Sequence, residues 1–155
     1  MTLPLVSILL PVRNEELLLT AALDSLNRQT MTDWELVCVD DGSTDATPSI
    51  LAGAARRDRR IRLLQTAGKG LVAALNTGLG ACRAPLVARM DGDDISHPRR
   101  LELQTATMTA EPDLGLAACA FRHFPRQRMF VSLRARYFRM PNGVEGAAAG
   151  PTASS

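Results

Sequence analysis

The stretch Pro85-Leu86-Val87-Ala88-Arg89-Met90-Asp91-Gly92-Asp93-Asp94 sets three carboxylates in four residues directly after a short apolar run. The apolar part reads as a buried strand. The acids then fall at its carboxyl end, where like charges repel. At about 4 Å a pair costs roughly 1 kcal/mol in water and about 4 kcal/mol at an effective dielectric near 20. A cluster of this kind either binds a cation or sits on an open, solvated rim. In extended backbone Asp91 and Asp93 project to one side and Asp94 to the other. Two hard oxygen ligands on one side suit Mg²⁺ or Mn²⁺, which retain waters and share phosphate oxygens with a substrate. The competing reading is a polar turn that leads into the next helix.

Working outward from that stretch, strands and helices alternate. Leu5 to Leu10 is an apolar run that Pro11 should end, and Glu15 to Gln29 carries apolar residues at helical spacing, with acids in its first turn. Glu35 to Val39 is a second strand. Thr47-Pro48 has the form of an N-cap followed by a proline at the first helical position, opening a helix to Arg57. Ile61 to Gln65 is a third strand, Gly70 to Cys82 a helix, Leu86 to Met90 the fourth strand, Pro98 to Ala110 a helix, and Leu114 to Ala120 a fifth apolar run. Strand-helix repetition with near-continuous apolar strands predicts an α/β fold, a mostly parallel sheet flanked by helices. Ligands in such sheets bind at the carboxyl ends of strands, near a topological switch point. Three polar groups fall there: Pro11 to Glu15, Asp40 to Ser43, and Asp91 to Asp94.

The bulk composition narrows the classes. With 155 residues the chain has the length of one domain and can bury a real core. Its formal net charge of +2 gives no bulk electrostatic basis for a nucleic-acid partner, so none is expected. The three cysteines, Cys38, Cys82 and Cys119, lie in apolar stretches without C-x-x-C spacing, which predicts small core residues in a reducing, cytoplasmic setting. The apolar N-terminal run has no basic residue before it and is broken by Pro4 and Pro11, so a signal peptide is not expected.

Each strand end offers a chemistry. Asp40 and Asp41 can accept from the N–H of a base or from ribose hydroxyls, or serve only as an Asx-type turn. Arg13 supplies a fork of N–H donors for phosphate, and Lys69 a point charge between two glycines. Gly68-Lys69-Gly70 lacks the spacing of a Walker loop, and no G-x-G-x-x-G follows the first strand, which counts against a dinucleotide-binding dehydrogenase. A nucleotidyltransferase would show a glycine-rich basic first loop, and a response-regulator receiver would carry its acids after the first strand; neither pattern is present. His97 is a candidate ligand or, more simply, the residue that leads into the helix at Pro98.

Three motifs in order, Val6 to Glu15, Trp34 to Asp45 and Ala88 to Ile95, resemble the family 2 glycosyltransferases of GT-A fold, a Rossmann-like architecture. The resemblance covers roughly residues 5 to 120. The stretch Arg89 to Leu101 is most similar to bacterial members that build surface polysaccharide or lipopolysaccharide. The resemblance implies a sugar-nucleotide donor, expected to be a UDP-sugar, a divalent metal (Mg²⁺ or Mn²⁺), inversion at the anomeric carbon, and a saccharide or lipid-linked acceptor. Carried over by position, it implies that Pro11, Arg13 and Glu15 line the nucleotide pocket. Asp41, helped by Asp40, would contact the base. Asp91 would sit near the ribose and Asp93 would hold the metal on the diphosphate, with Lys69 near the phosphates.

Two departures from the pattern stand out. Many members carry an Arg-Asn pair in the helix before the aspartate motif, whereas here Leu75 precedes Asn76. In the family the acceptor site and the catalytic base also follow the matched region, yet beyond Asp113 the only acid is Glu145. The expectation is therefore a C-terminally truncated GT-A domain over residues 1–120, with no assigned base. A basic, aromatic segment over 121–140 would follow, then a disordered tail over 141–155. A fragment that binds nucleotide sugar without catalysing transfer is the alternative. Arg122, Arg126, Arg128, Arg134, Arg136 and Arg139 form a group without acids among them, expected to be a solvated face or a peripheral contact with anionic lipid on the inner face of the membrane.

Overall fold

The computed structural model describes residues 3–120 and the backbone of residues 137–139. The remaining members of the second arginine group, and the 141–155 tail with Glu145, lie outside the described residues. The chain divides into two compact units, residues 1–105 and 106–155.

The first unit alternates strand and helix: β1 (Val6–Val12), α1 (Leu19–Asn27), β2 (Trp34–Asp40), α2 (Thr47–Arg57), β3 (Ile61–Gln65), α3 (Leu71–Ala81), β4 (Leu86–Arg89) and the start of α4 (Arg100–Ala110). The four strands form a parallel sheet in the order β3-β2-β1-β4. Central β1 and β2 are buried along their whole length, as apolar runs covered on both faces must be. Edge strands β3 and β4 alternate in exposure instead. On one face Ile8, Leu10, Leu36 and Cys38 pack with Leu19, Leu23 and Leu26 of α1, Leu51 of α2, Met90 and Leu101. On the other, Leu9, Val37 and Val39 pack with Ala74 of α3. Gly78 lets α3 approach this closely, since a Cβ there would lie 2.2 Å from Leu9 Cδ1 and 2.8 Å from Val39 Cγ2.

Several local expectations need correction. Pro11 does not end β1, which runs on to Val12. Leu9 O accepts from Met90 N on the β4 side, while Val12 O accepts from Asp41 N on the β2 side. By alternation Pro11 faces β4, just past the last β4 pair, Leu9 with Arg89, so its missing N–H breaks no ladder bond. Glu15 and Glu16 precede α1 and do not form its first turn; Glu15 O accepts from Leu18 N and Leu19 N and so opens the helix. Thr47 does not cap α2. Its hydroxyl accepts from Glu15 N at 2.8 Å, and Pro48 still occupies the first turn.

At the amino ends of β1 and β2 the buried Glu35 is saturated with donors. Ser7 Oγ donates at 2.7 Å, Arg83 N at 2.8 Å, Arg83 Nε at 2.8 Å and Arg62 Nη1 at 3.2 Å. Burial alone would push its carboxyl upward. The donors win, and it is held at about 2.

In the second unit, β5 (Leu114–Ala117) pairs antiparallel with β6 (Tyr137–Arg139), with a register shift between Leu114 and Leu116. The fifth apolar run thus belongs to a separate two-stranded sheet. A three-residue strand at 137–139 carries no periodic signal that the sequence could have shown. No described helix is long and apolar enough to cross a membrane.

Candidate functional site

Strands β1, β2 and β3 step one way across the sheet and β4 lies on the other side of β1, so the chain reverses direction between β1 and β4. Loops that leave the carboxyl ends of two such strands diverge and open a crevice. A cleft of about 320 Å³ lies there, lined by Pro11, Val12, Arg13 and Glu15 after β1, by Asp41, by Gly70, Leu71 and Ala74 at the start of α3, and by Arg89, Asp91, Gly92 and Asp93 at the end of β4. That volume is at the lower end of the range usual for small-molecule sites, about 300–1,000 Å³.

The first wall is braced by reciprocal bonds between two loops. Asn14 takes a left-handed conformation, φ +55°, which asparagine tolerates better than most residues. From there its Oδ1 accepts from Thr44 N at 2.8 Å, while its own N–H donates to Ser43 Oγ at 3.0 Å. Glu16 N donates to Asp45 Oδ2 at 3.1 Å, and Glu16 Oε2 accepts from Ala46 N at 2.9 Å. Sequence reasoning did not single out Asn14, Ser43, Asp45 or Thr47 as braces. Their only signal was small polar residues clustered at two strand ends.

The adjacent aspartates at the end of β2 divide the work. Asp40 accepts from Ser43 N at 3.0 Å, an Asx-type turn, and is not among the lining residues. Asp41 lines the cleft, and its carboxylate gathers the loop before α3. Thr66 Oγ1 donates to it, as do Lys69 N at 2.9 Å and Gly70 N at 2.8 Å, and Arg13 Nη1 lies 3.8 Å away. The Thr66 hydroxyl leads these effects, and against the cost of burial the N–H groups and the Arg13 charge hold the carboxyl below its usual range. Gly42 and Gly68, both at positive φ, let the two loops meet; a Cβ on Gly42 would lie 3.1 Å from Gly68 N. Lys69 contributes its backbone here. Its exposed side chain is not part of the lining.

The opposite wall is the acidic stretch. Gly92 is buried where a Cβ would meet Val12 Cγ1 at 2.9 Å and Glu15 Cγ at 3.1 Å, so only glycine lets the Asp91-Asp93 loop close against Glu15. Arg89, which sequence reasoning did not select, lies in the cleft and pairs with Asp91, Nη2 to Oδ1 at 3.1 Å and Nε to Oδ1 at 3.3 Å. Its register opposite Leu9 could have found it only once the pairing was known. Asp93 is exposed and makes no hydrogen bond or ion pair with another described residue. Burial, and then the negative charges of Asp93, Asp45 and Asp91, raise the Glu15 carboxyl. His97 lies outside the lining; its Nδ1 accepts from Arg99 N at 3.2 Å, the role of a residue leading into a helix.

Among the described residues no three His, Cys, Asp or Glu side chains form a ready-made metal cage. The donor set still fits a hard cation. Asp93 offers exposed carboxylate oxygens beside Glu15 and Asp91, in a site where acids crowd one another and a dication would relieve the repulsion.

A family model described as glycosyl transferase family 2 matches residues 7–149. The chain is 39% identical over 120 residues to an uncharacterized glycosyltransferase, EpsJ, of Bacillus subtilis, covering 77% of this chain and 34% of EpsJ. Among solved structures it is similar to the mannosyltransferase PcManGT from Pyrobaculum calidifontis in complex with GDP-Man and Mn²⁺, with 30% identity and a TM-score of 0.67 over 82% of this chain and 38% of that one. It is also similar to S. aureus TarS 1-349 in complex with UDP, with 28% identity and a TM-score of 0.65 over 70% of this chain and 33% of that one. The chain spans about a third of the length of these relatives. The ordered strand-end motifs, the parallel sheet with its cleft at the switch point and the family match agree: this chain belongs to glycosyl transferase family 2 and has the α/β architecture of the GT-A fold.

Proposed function

We propose that the chain is the donor-binding part of a glycosyltransferase, taking a sugar nucleotide with Mg²⁺ or Mn²⁺ in the cleft between β1 and β4. The observation that carries this is the convergence of Arg13, Glu15, Asp41, Arg89, Asp91 and Asp93 on one cleft at the switch point. Neighbouring structures hold UDP in one case and GDP-Man with Mn²⁺ in another, which supports a nucleoside diphosphate in this position. A UDP-sugar remains our expected donor, with a saccharide or lipid-linked acceptor for the whole protein. A cytoplasmic setting belongs to the same proposal; of the three cysteines expected in the core only Cys38 is buried, while Cys82 is half-buried and Cys119 exposed.

In this reading Pro11, Arg13 and Glu15 form the wall against which the nucleotide lies. A carboxylate has about four acceptor positions. Asp41 spends three on Thr66, Lys69 N and Gly70 N, leaving one directed at a base donor while it fixes the loop beneath the base. Asp40 acts behind it by holding the turn at Ser43. Asp91 faces the ribose, Lys69 supplies positive potential near the phosphates, and Asp93 holds the metal. The bound cation supplies Lewis-acid stabilisation of charge on the departing diphosphate. Arg13 and Arg89 orient that diphosphate through N–H donors, and Gly92 keeps the acidic loop close enough to Glu15 to share the cation.

Titration calorimetry with UDP and GDP, with and without Mn²⁺, tests the reading. The wild-type chain should bind at least one of them more tightly with Mn²⁺, and Asp93→Asn should lose most of that gain. Equal affinity in both conditions for wild type and variant would falsify the metal assignment. No binding of either nucleotide would overturn the donor-site reading.

A further inference from the structure

Both cleft arginines are already engaged by carboxylates. Arg13 lies 3.8 Å from Asp41, and Arg89 grips Asp91 with Nε and Nη2. The two pairs differ. Asp41 is buried and its oxygens are claimed by three other donors, so it does not depend on Arg13. Asp91 is about half-exposed, and Arg89 is its principal donor. The Arg89 backbone is fixed independently, since Arg100 Nη2 donates to its carbonyl at 2.6 Å. The guanidinium can therefore swing without disturbing the strand.

We propose that Arg89 is an internal counterion for Asp91 that competes with the divalent cation, so that the cleft holds the cation strongly only when a nucleoside diphosphate draws the guanidinium away. This rests on the donor-site reading above. Without nucleotide, the acidic wall consists of Glu15, Asp91 and Asp93, and Arg89 neutralises one of the three. A cation entering beside Asp93 then finds less negative charge around it and meets a guanidinium in the same cleft. A diphosphate supplies a better acceptor for the guanidinium, because Arg and phosphate match in a two-point fork. Moving Arg89 onto phosphate frees Asp91, and the wall regains its full charge for the cation. Nucleotide and cation thus load together, each improving the site for the other by the same factor, as linkage requires. Arg89 thus acts on the diphosphate directly and on the cation through Asp91.

The test measures Mn²⁺ alone, by electron paramagnetic resonance of the unbound ion, on the whole chain and its variants. Wild type should bind Mn²⁺ weakly and tighten when UDP or GDP is added. Arg89→Gln should bind Mn²⁺ alone at least about tenfold more tightly, since a like charge has been removed and Asp91 released, and should gain less on adding nucleotide. Arg89→Lys, which keeps the charge, should fall between them. In an Asp91→Asn background, Arg89→Gln should have a much smaller effect, which separates action through Asp91 from a general change of field. Arg89 is more than half-exposed, so these variants should melt like wild type, and a thermal scan checks it. An Arg89→Gln variant that binds Mn²⁺ alone no more tightly than wild type would overturn the proposal, even if wild type binds nucleotide as expected. Conversely, tighter Mn²⁺ binding by the variant with no nucleotide binding by wild type would overturn the donor-site reading and leave the counterion role standing.

Discussion

Glu35 offers a sharp quantitative test of how the sheet is held together beneath the cleft. Its carboxyl falls from an ordinary 4.5 to about 2 because Ser7, Arg83 and Arg62 together outweigh the burial that opposes them. At about 1.36 kcal/mol per pH unit, that gap contributes roughly 3 kcal/mol to folding. The folded-state value is the depressed one, so the contribution is complete above pH 4.5 and is lost as the pH falls toward 2. Glu35→Gln cannot ionise and lacks the contribution at every pH. Wild type should therefore exceed the variant by roughly 3 kcal/mol more at pH 7 than under fully protonating conditions, and between pH 7 and pH 3 the advantage should shrink by about 2 kcal/mol. Urea unfolding followed by Trp34 fluorescence reads this directly, since the single tryptophan is buried at the start of β2 with Arg60 over its ring at 3.6 Å. Other acids titrate equally in both proteins and cancel in the difference. A wild-type advantage that stays the same at pH 7 and pH 3 would mean that the donors around Glu35 do not stabilise its charged form.

Two further outcomes follow from packing. Gly78→Ala forces a methyl against Leu9 and Val39; overpacking costs about 1–3 kcal/mol, helix propensity returns about 1, and a net loss of about 1 kcal/mol should lower the urea midpoint. An unchanged or raised midpoint would show that Leu9 rotates away at no cost. Burial pushes the Cys38 thiol up to about 12, whereas Cys119 is exposed. Ellman's reagent at pH 8 should therefore label Cys119 promptly and Cys38 only on unfolding; rapid labelling of Cys38 in the native chain would mean that β2 is not the rigid centre of the sheet.

The layout of the first unit was legible because its signals are local. Apolar runs such as Val37-Cys38-Val39, broken by Asp-Gly or by Thr-Pro, define strands and helix starts without knowledge of the partners. The site's location was legible for the same reason, since polar residues after β1, β2 and β4 must gather at one sheet edge once the sheet is parallel. Assignments that depend on pairing were not legible. Asp40 and Asp41 look alike in sequence, and only the position of the Thr66–Gly70 loop makes one a turn brace and the other its anchor. Arg89 reads as an interior strand residue until its register against Leu9 puts it at the mouth of the cleft. Thr47 reads as a helix cap until Glu15 is found claiming its hydroxyl. The strand at 137–139 is too short to carry a period, and its pairing with Leu114–Ala117 is a long-range event.

We propose that a nucleoside diphosphate and a divalent cation occupy the cleft between β1 and β4. The most direct measurement is the change in backbone amide resonances of the ¹⁵N-labelled chain on adding UDP or GDP with Mg²⁺. The largest shifts should fall on Arg13, Glu15, Gly70, Asp91, Gly92 and Asp93, and omitting Mg²⁺ should diminish those at Asp91 to Asp93 most. Shifts concentrated away from these residues, or none at saturating nucleotide, would contradict it.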